Sequence, residues 1–254
     1  MPAVEYVVED RVANITLNRP DKLNAINREI RDGLTGALEE FANDGDAWIG
    51  VFRGAGENFS VGLDLTEPAV ASGDTSFAAS IEQIYVGLSR LWKPSIAVID
   101  GYCLAQGGGI ALACDVRITS DRARFGWPQA RRGISSISGP AMLSAKIPLN
   151  LALEYLYTGN YIDAASAHRL NLVNCVVPSE ELSDAADGLI AEIRANAPLA
   201  MRSMKRAAVE GQSLDLEERV RLAGQFFLEN LKTADSAEGL AAFAEKRPPV
   251  FKGE

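Results

Sequence analysis

The sequence predicts an α/β fold, and three observations carry the prediction. The first hundred residues alternate short β-branched runs with amphipathic stretches. Two of the strand-like runs feed directly into glycine-bearing loops, and the chain from Ser179 onward is helical in pattern almost to its end. Val4–Val8 and Val12–Leu17 read as strands joined by the turn-like Glu9-Asp10-Arg11. Asn27 through about Ala42 sets Ile30, Leu34, Ala37, Leu38 and Phe41 three and four residues apart, the period of a half-buried helix. Trp48–Arg53 reads as a buried strand leading into GAGENFSVGLD, and Ser95–Asp100 as a second leading into GYCLAQGGG. Between them a helix is expected over Phe77–Trp92, ended ahead of Pro94 because proline restricts the residue before it. Asp115–Ser120 and Ala123–Trp127 are further short strands. Helices are expected over Pro140–Ala145, Leu149–Tyr157 and Ala164–Arg169, then a strand over Leu172–Pro178, then helices broken at Pro198 and around Ser213. No repeat of constant period and no low-complexity linker occurs. The organisation expected is an α/β core over 1–195 and a helical lobe over 196–254.

Composition narrows the function classes. At 254 residues, 47% hydrophobic and 23% charged, the chain is long and apolar enough for a sizeable core, which excludes disorder and fibrous classes. Twenty-five Lys and Arg against 34 Asp and Glu leave a net charge of −9. A broad basic face for nucleic acid or an anionic membrane is therefore not expected, and any polyanionic ligand must meet local positive charge. Cys103, Cys114 and Cys175 are odd in number and widely spaced, with a single histidine beside them, so neither a disulfide framework nor a metal site is expected. The N-terminus shows no basic segment followed by an apolar stretch, and no window approaches the ~20 apolar residues of a membrane span. A soluble cytoplasmic protein is the expectation.

Several motifs fail. GGGIAL at 107–112 ends on Leu112 where the dinucleotide fingerprint requires Gly or Ala, and neither a phosphate loop nor a GxSxG elbow is present. Ser135, Ser136 and Ser138 suggest a hydrolase, but the only imidazole is His168, within a helical pattern, where a capping or solvated histidine is the better reading. Arg131 and Arg132 read as a solvated pair. Leu222, Phe226, Phe227 and Leu231 read as core or subunit interface.

What remains is the pair of glycine loops. In each, small residues follow a hydrophobic strand and a helical pattern resumes, and a helix N-terminus offers free N–H groups and a macrodipole of about +0.5 charge to an anion. If FSVGLD and LAQGGG lie side by side, two N–H donors converge on one carbonyl oxygen as it becomes an enolate. Taken singly, each cluster is explained by a tight turn or close packing.

These loops also carry a resemblance. NRPDKLNAIN (18–27), GENFSVGLDL (56–65), KPSIAVIDGYCLAQGGGIALACDVRI (93–118), FGWPQARRGI (125–134) and KRPPVFKGE (246–254) resemble, in order and over the whole chain, the successive signatures of the crotonase (enoyl-CoA hydratase/isomerase) superfamily. The resemblance implies a spiral of ββα repeats with a helical C-terminal trimerisation segment, assembly as a homotrimer or dimer of trimers, and an acyl-CoA thioester as ligand with no cofactor beyond the CoA itself. It implies that the thioester oxygen sits between the main-chain N–H of Leu63, just after Gly62, and that of Gln106; a register shifted by two names Gly108 instead. It places the CoA arm along Lys22, Leu23 and Ala25, with Val61 on the adenine side and Phe251 and Lys252 contributing from the tail. Asp64 is expected to fix its loop by local hydrogen bonds.

The chain departs from the family pattern at the two glutamates of the well-known hydratases. Their positions fall on Gly109 (Ala111 in the shifted register) and on Gln129, whose amide orients but does not accept a proton near neutral pH. Three readings follow. Another group acts as acid or base, with Tyr102, Glu57, Glu67 or a carboxylate from the helix after residue 76 as candidates. Alternatively, the reaction is decarboxylation of a malonyl-type CoA thioester, with Gln129 and Tyr102 as polar positioners. Or the chain is a non-catalytic acyl-CoA binder.

Overall fold

The structure is a computed structural model and describes residues 1–68 and 75–254. Strands β1 (Val4–Glu9) and β2 (Val12–Leu17) form the antiparallel hairpin that opens a six-stranded sheet. β2 then pairs in parallel with β3 (Ile49–Gly54), β3 with β4 (Ser95–Ile99), β4 with β6 (Val116–Ser120), and β6 with β9 (Cys175–Val177). The register sets Ile15 opposite Phe52 and Phe52 opposite Ala97. β3 and β4 are inner strands with helices to cover, so Ile49, Val51, Phe52, Ile96, Ala97 and Ile99 are all buried and read as unbroken apolar runs. A second sheet of three short strands, β5 (Tyr102–Leu104), β7 (Arg124–Gly126) and β8 (Tyr161–Asp163), stands beside it, with β5 and β7 parallel.

Helix α1 (Arg28–Asn43) follows the predicted stripe. The Asn27 side chain accepts from the Ile30 N–H at 3.0 Å to cap it, and Ile30, Leu34 and Phe41 are fully buried. α2 (Thr75–Ser89) stops three residues before the predicted end. Tertiary contacts override the helical period there: Trp92 lies under the Arg206 guanidinium and the Lys93 carbonyl accepts from the Lys205 ammonium at 2.9 Å. α3 (Gln106–Ala113) is buried along its whole length. A π-turn at Gly139–Leu143 and one turn at Ser144–Lys146 replace the helix expected over 140–145, followed by α4 (Leu149–Thr158) and α5 (Ala164–Arg169). Only Cys175–Val177 of the strand expected over 172–178 pairs, because the Leu172 carbonyl and the Asn174 side chain are taken up by Arg117.

Two compact units result. Residues 1–90 and 95–186 make the first; residues 91–94 and 187–254 make the second, the division falling inside α6 (Leu182–Arg194). The second unit adds α7 (Pro198–Glu210), α8 (Leu216–Asn230, capped by Asp215) and α9 (Ala234–Glu245, capped by Thr233). The break between α8 and α9 is one the periodicity did not predict. The tail returns to α9: buried Asp235 accepts from the Lys252 N–H at 2.7 Å and the Gly253 N–H at 2.9 Å, and its own N–H donates to Glu254. Asp235→Ala leaves two tail amides without their acceptor, and bonds to a charged group are worth roughly 1.5–3 kcal/mol. The expected outcome is rapid carboxypeptidase trimming of the last residues with the second unit's helical signal retained; a tail as resistant as wild type would show that Asp235 does not hold it.

Candidate active site

The site is built around five residues of extended chain, Ser60–Asp64, hydrogen-bonded along both flanks. On one side the Ser60 N–H donates to the Tyr102 carbonyl and the Leu104 N–H to the Ser60 carbonyl, which joins the segment to β5. On the other, the Val61 N–H donates to the Leu23 carbonyl, the Ile26 N–H to the Gly62 carbonyl and the Asp64 N–H to the Ile26 carbonyl. In a parallel bridge of this kind the residue between the bonded pair turns its own N–H away. Leu63 is that residue, and its N–H has no acceptor among the described residues.

Two buried side chains fix this arrangement. Asn24 accepts from the Arg19 N–H and donates to the carbonyls of Ala55 and Asn58 at 2.9 and 2.7 Å, stapling two loops. The Ser60 hydroxyl donates to the Asn24 carbonyl at 2.8 Å and accepts from the Gly62 N–H at 3.1 Å. Gly62 itself has φ +88°, and a Cβ there would stand 2.7 Å from the Ala105 Cβ and 3.1 Å from the Gln106 nitrogen. The two glycine loops therefore do lie side by side, in contact at Gly62, and only glycine fits. Ala105 is held at φ +51°, ψ −112° by a bond from its N–H to Gly126 and by bonds into its carbonyl from the Gly109 N–H and the Ser138 hydroxyl. Gln106 follows as the first residue of α3, where the N–H has no intrahelical partner.

Beside these amides opens a cavity of about 530 Å³ whose walls are mostly apolar, lined among others by Leu23, Val61, Leu63, Leu65, Ile81 and Ile137. Its polar groups are few. Both side-chain heteroatoms of Gln106 and the Oε1 of Gln129 are buried without a hydrogen-bond partner among the described residues, where such groups ordinarily find one. The Trp127 indole donates to the Ser138 hydroxyl at 3.0 Å, and Tyr85 from α2 sits against the same serine. Tyr102 and Tyr161 pack edge to face at the exposed side. Among the described residues no carboxylate lines the cavity, and Arg132 is its one cation.

A protein-family model for enoyl-CoA hydratase/isomerase matches residues 8–254. The chain is 34% identical to the (E)-benzylidenesuccinyl-CoA hydratase of Thauera aromatica over 98% of its own length and 99% of that protein's, and 33% identical to a short-chain-enoyl-CoA hydratase of Clostridium acetobutylicum over 94% and 93%. The chain belongs to the enoyl-CoA hydratase/isomerase family. Solved structures agree: an enoyl-CoA hydratase from Bacillus anthracis superposes with a TM-score of 0.92 at 30% identity over 99% of this chain and 100% of that one. EchA1 from Mycobacterium marinum does so with 0.90 at 34% over the whole of both. The α/β fold is thus the crotonase fold.

Within this hydratase/isomerase scaffold, Leu23, Val61, Leu63, Tyr102, Gln106 and Gln129 of the sequence-predicted set line the one cavity. Lys22 is exposed on the loop before Leu23, and the Ala25 carbonyl is held by Arg19 at 2.7 Å. Asp64 accepts from the Thr66 hydroxyl and N–H and pairs with Arg19 at 3.1 Å; these bonds outweigh its partial burial and hold its carboxyl below the ordinary range. Phe251 and Lys252 belong to the second unit. Gly108 packs on the Trp127 ring within α3. Of the acid-base candidates, only Tyr102 lines the cavity. Glu57 faces a separate cleft beside Arg122, Glu67 pairs with Arg31, and α2 brings Ile81 and Tyr85 rather than a carboxylate.

After FSVGLD the chain turns at residues 65–66 and is helical again at residue 68, with Leu63 bridged to Ile26 on the way. Arg131 and Arg132 are both exposed; Arg131 donates to the Thr158 carbonyl and the Asn160 side chain, while Arg132 lines the cavity. Ser138 is occupied by Trp127 and Ala105, and His168 is exposed on α5, so no triad forms. Asn24, Ser60 and Tyr85 are the site residues the sequence reading missed. Gly62→Ala must push the two loops apart, so turnover of a family substrate should fall at least tenfold with roughly 1–3 kcal/mol of destabilisation. Unchanged kinetics would show that loop contact at Gly62 is dispensable.

Proposed function

We propose that the protein is an acyl-CoA lyase or isomerase that holds the thioester carbonyl oxygen between the main-chain N–H groups of Leu63 and Gln106 and stabilises the enolate formed there. The observation that carries this reading is the pair of amides with no acceptor among the described residues, contributed by two loops in contact at Gly62 and opening on one apolar cavity. Each such donor is worth about 3 kcal/mol to a developing oxyanion, and the dipole of α3 adds in the same direction. Lys22, Leu23, Ala25 and Val61 form the CoA-binding side of this reading. The positive group of Lys22 meets a phosphate on an otherwise acidic protein.

Hydration by two glutamates does not fit these residues. Gly109 has no room for a side chain, since an added Cβ would stand 2.5 Å from the Tyr85 hydroxyl and 2.6 Å from the Ser138 Cβ, and Gln129 carries an amide. A second reading, decarboxylation of a malonyl-type thioester, is favoured by one observation: Arg132 lines a cavity where no carboxylate does among the described residues, so an acyl group bearing its own carboxylate is met by a cation and repelled by nothing. That route needs no protein base, because loss of carbon dioxide leaves the enolate directly.

Purified protein incubated with crotonyl-CoA, a 3-enoyl-CoA and methylmalonyl-CoA, with products followed by mass spectrometry, separates the reactions. Retained binding with no turnover of any would favour the non-catalytic binder. Leu63→Pro removes an N–H that no described residue accepts and should lower kcat about 100-fold, while Leu63→Ala costs little. Equal effects would count against a main-chain role.

Self-association is part of the same reading. Phe227 is 62% and Phe243 86% exposed, with Leu231, Leu240 and Val220 also open on the second unit's helices, a larger apolar display than a solitary chain keeps. A trimer or dimer of trimers is expected in sedimentation velocity, and Phe243→Glu should shift it toward monomer; a monomeric wild type would remove this part of the proposal.

A further inference from the structure

We propose that Tyr85 is the acid that delivers a proton to the α-carbon of the thioester enolate. The inference rests on the acyl-CoA reading above and adds to it the group that completes the reaction. Whether the enolate arises by addition of water or by loss of carbon dioxide, its α-carbon must gain a proton within the cavity. No carboxylate, lysine or histidine lines that cavity among the described residues. Its titratable groups are Arg132, which stands exposed, and three tyrosines. Tyr102 and Tyr161 are 39% and 46% exposed, whereas Tyr85 is 7% exposed.

Geometry selects Tyr85 from the three. Its hydroxyl lies 3.4 Å from the carbonyl oxygen of Gln106, the same residue whose N–H faces the thioester oxygen. It fills the space beside Gly109, one helical turn into α3, at 2.5 Å from where a Cβ would stand, so the absence of a side chain at 109 is what admits the phenol. Ser138 anchors that hydroxyl and is itself fixed by the Trp127 indole and the Ala105 carbonyl, each at 3.0 Å. The proton donor and the second oxyanion donor are thereby built on one framework, Ala105-Gln106 and Ser138. Burial pushes the phenol's pKa upward, the hydrogen bond with Ser138 opposing it less strongly, so the group stays protonated throughout the neutral range.

The step balances. The enolate's carbon–carbon π pair forms the new α-C–H bond to the Tyr85 proton, the O–H pair stays on the phenolate oxygen, and the enolate oxygen returns to a carbonyl. In hydration the phenolate then takes a proton from the water that has added at the β-carbon; after decarboxylation it takes one from solvent water. Tyr85 thus ends as it began.

Tyr85→Phe keeps the ring and removes the proton. With crotonyl-CoA and methylmalonyl-CoA, kcat for the substrate that turns over is expected to fall about 100-fold with thioester affinity unchanged by calorimetry. In deuterium oxide the wild type places one deuterium on a single face of the α-carbon, and the residual Tyr85→Phe product carries it on both faces, a readout that a packing role would not move. Tyr85→His restores a donor, so its turnover should exceed that of Tyr85→Phe and rise as pH falls through about 6.5. Binding by both wild type and Tyr85→Phe with equal turnover and equal stereochemistry overturns Tyr85 alone; no binding of either thioester by either protein overturns the acyl-CoA reading with it.

Discussion

Everything at the site depends on the extended segment Ser60–Asp64 being held on both flanks by main-chain bonds. Pairing with β5 on one side and with residues 23–26 on the other uses up the hydrogen-bonding capacity of its neighbours and leaves the Leu63 N–H without an acceptor among the described residues. The geometry is costly to maintain: Leu23, Asn24 and Ala105 all sit at positive φ without being glycine. It persists because buried polar groups over-determine it. Asn24 uses its carbonyl oxygen and its amide nitrogen on three backbone partners, and Ser60 bridges from Asn24 to Gly62. Loosening any of these would free the chain to turn the Leu63 N–H toward a protein carbonyl, and the site would lose its charge-stabilising donor before it lost its fold.

This dependence explains which parts were legible in the amino-acid sequence. The inner strands β3 and β4 and the stripe of α1 show because burial on a large scale imposes apolar runs and periodicity. The glycine loops show because a close approach at Gly62 leaves glycine no substitute. Strands β5 and β8 do not show, since three residues are too few for a period of two to register and their pairing is set by partners distant in sequence. Asn24 and Ser60 read as ordinary loop residues, because nothing local distinguishes a buried staple from a solvated turn. Tyr85 was hidden differently: with Ile81, Ile84 and Leu88 it falls on the apolar stripe of α2, where an aromatic reads as core. It is core in its ring and site in its hydroxyl, and only the packing of Ser138 and Gly109 against it separates the two.

A hole made from backbone amides relaxes the demands on side chains at the same positions. In the proposed reading Leu63 contributes its N–H while its side chain serves the apolar wall, and Gln106 contributes its N–H while its carboxamide is buried without a partner among the described residues. Leaving a carboxamide unpaired costs roughly 1–3 kcal/mol, which is tolerable in an enzyme only if a ligand or water completes the bonds. Gln106 and Gln129 together offer two acceptor oxygens and a donor, a set that a water molecule or an acyl-group hydroxyl complements and that a purely hydrocarbon chain leaves unmet.

The same reasoning shows why amides and a phenol suit this cavity better than charged groups would. In apolar surroundings, fixed dipoles gain strength toward a charge that develops during reaction, and they need no counterion while the site is empty. In the proposed reading a neutral thioester gains little from the Leu63 and Gln106 N–H groups and its enolate gains much, so their contribution falls on the reaction barrier and not on ground-state affinity. A carboxylate placed beside them would compete for those donors and raise the energy of the enolate by like-charge repulsion. In its proposed role Tyr85, as a neutral phenol, stands next to the oxyanion donors without that conflict and becomes charged only in the instant after it has neutralised the enolate.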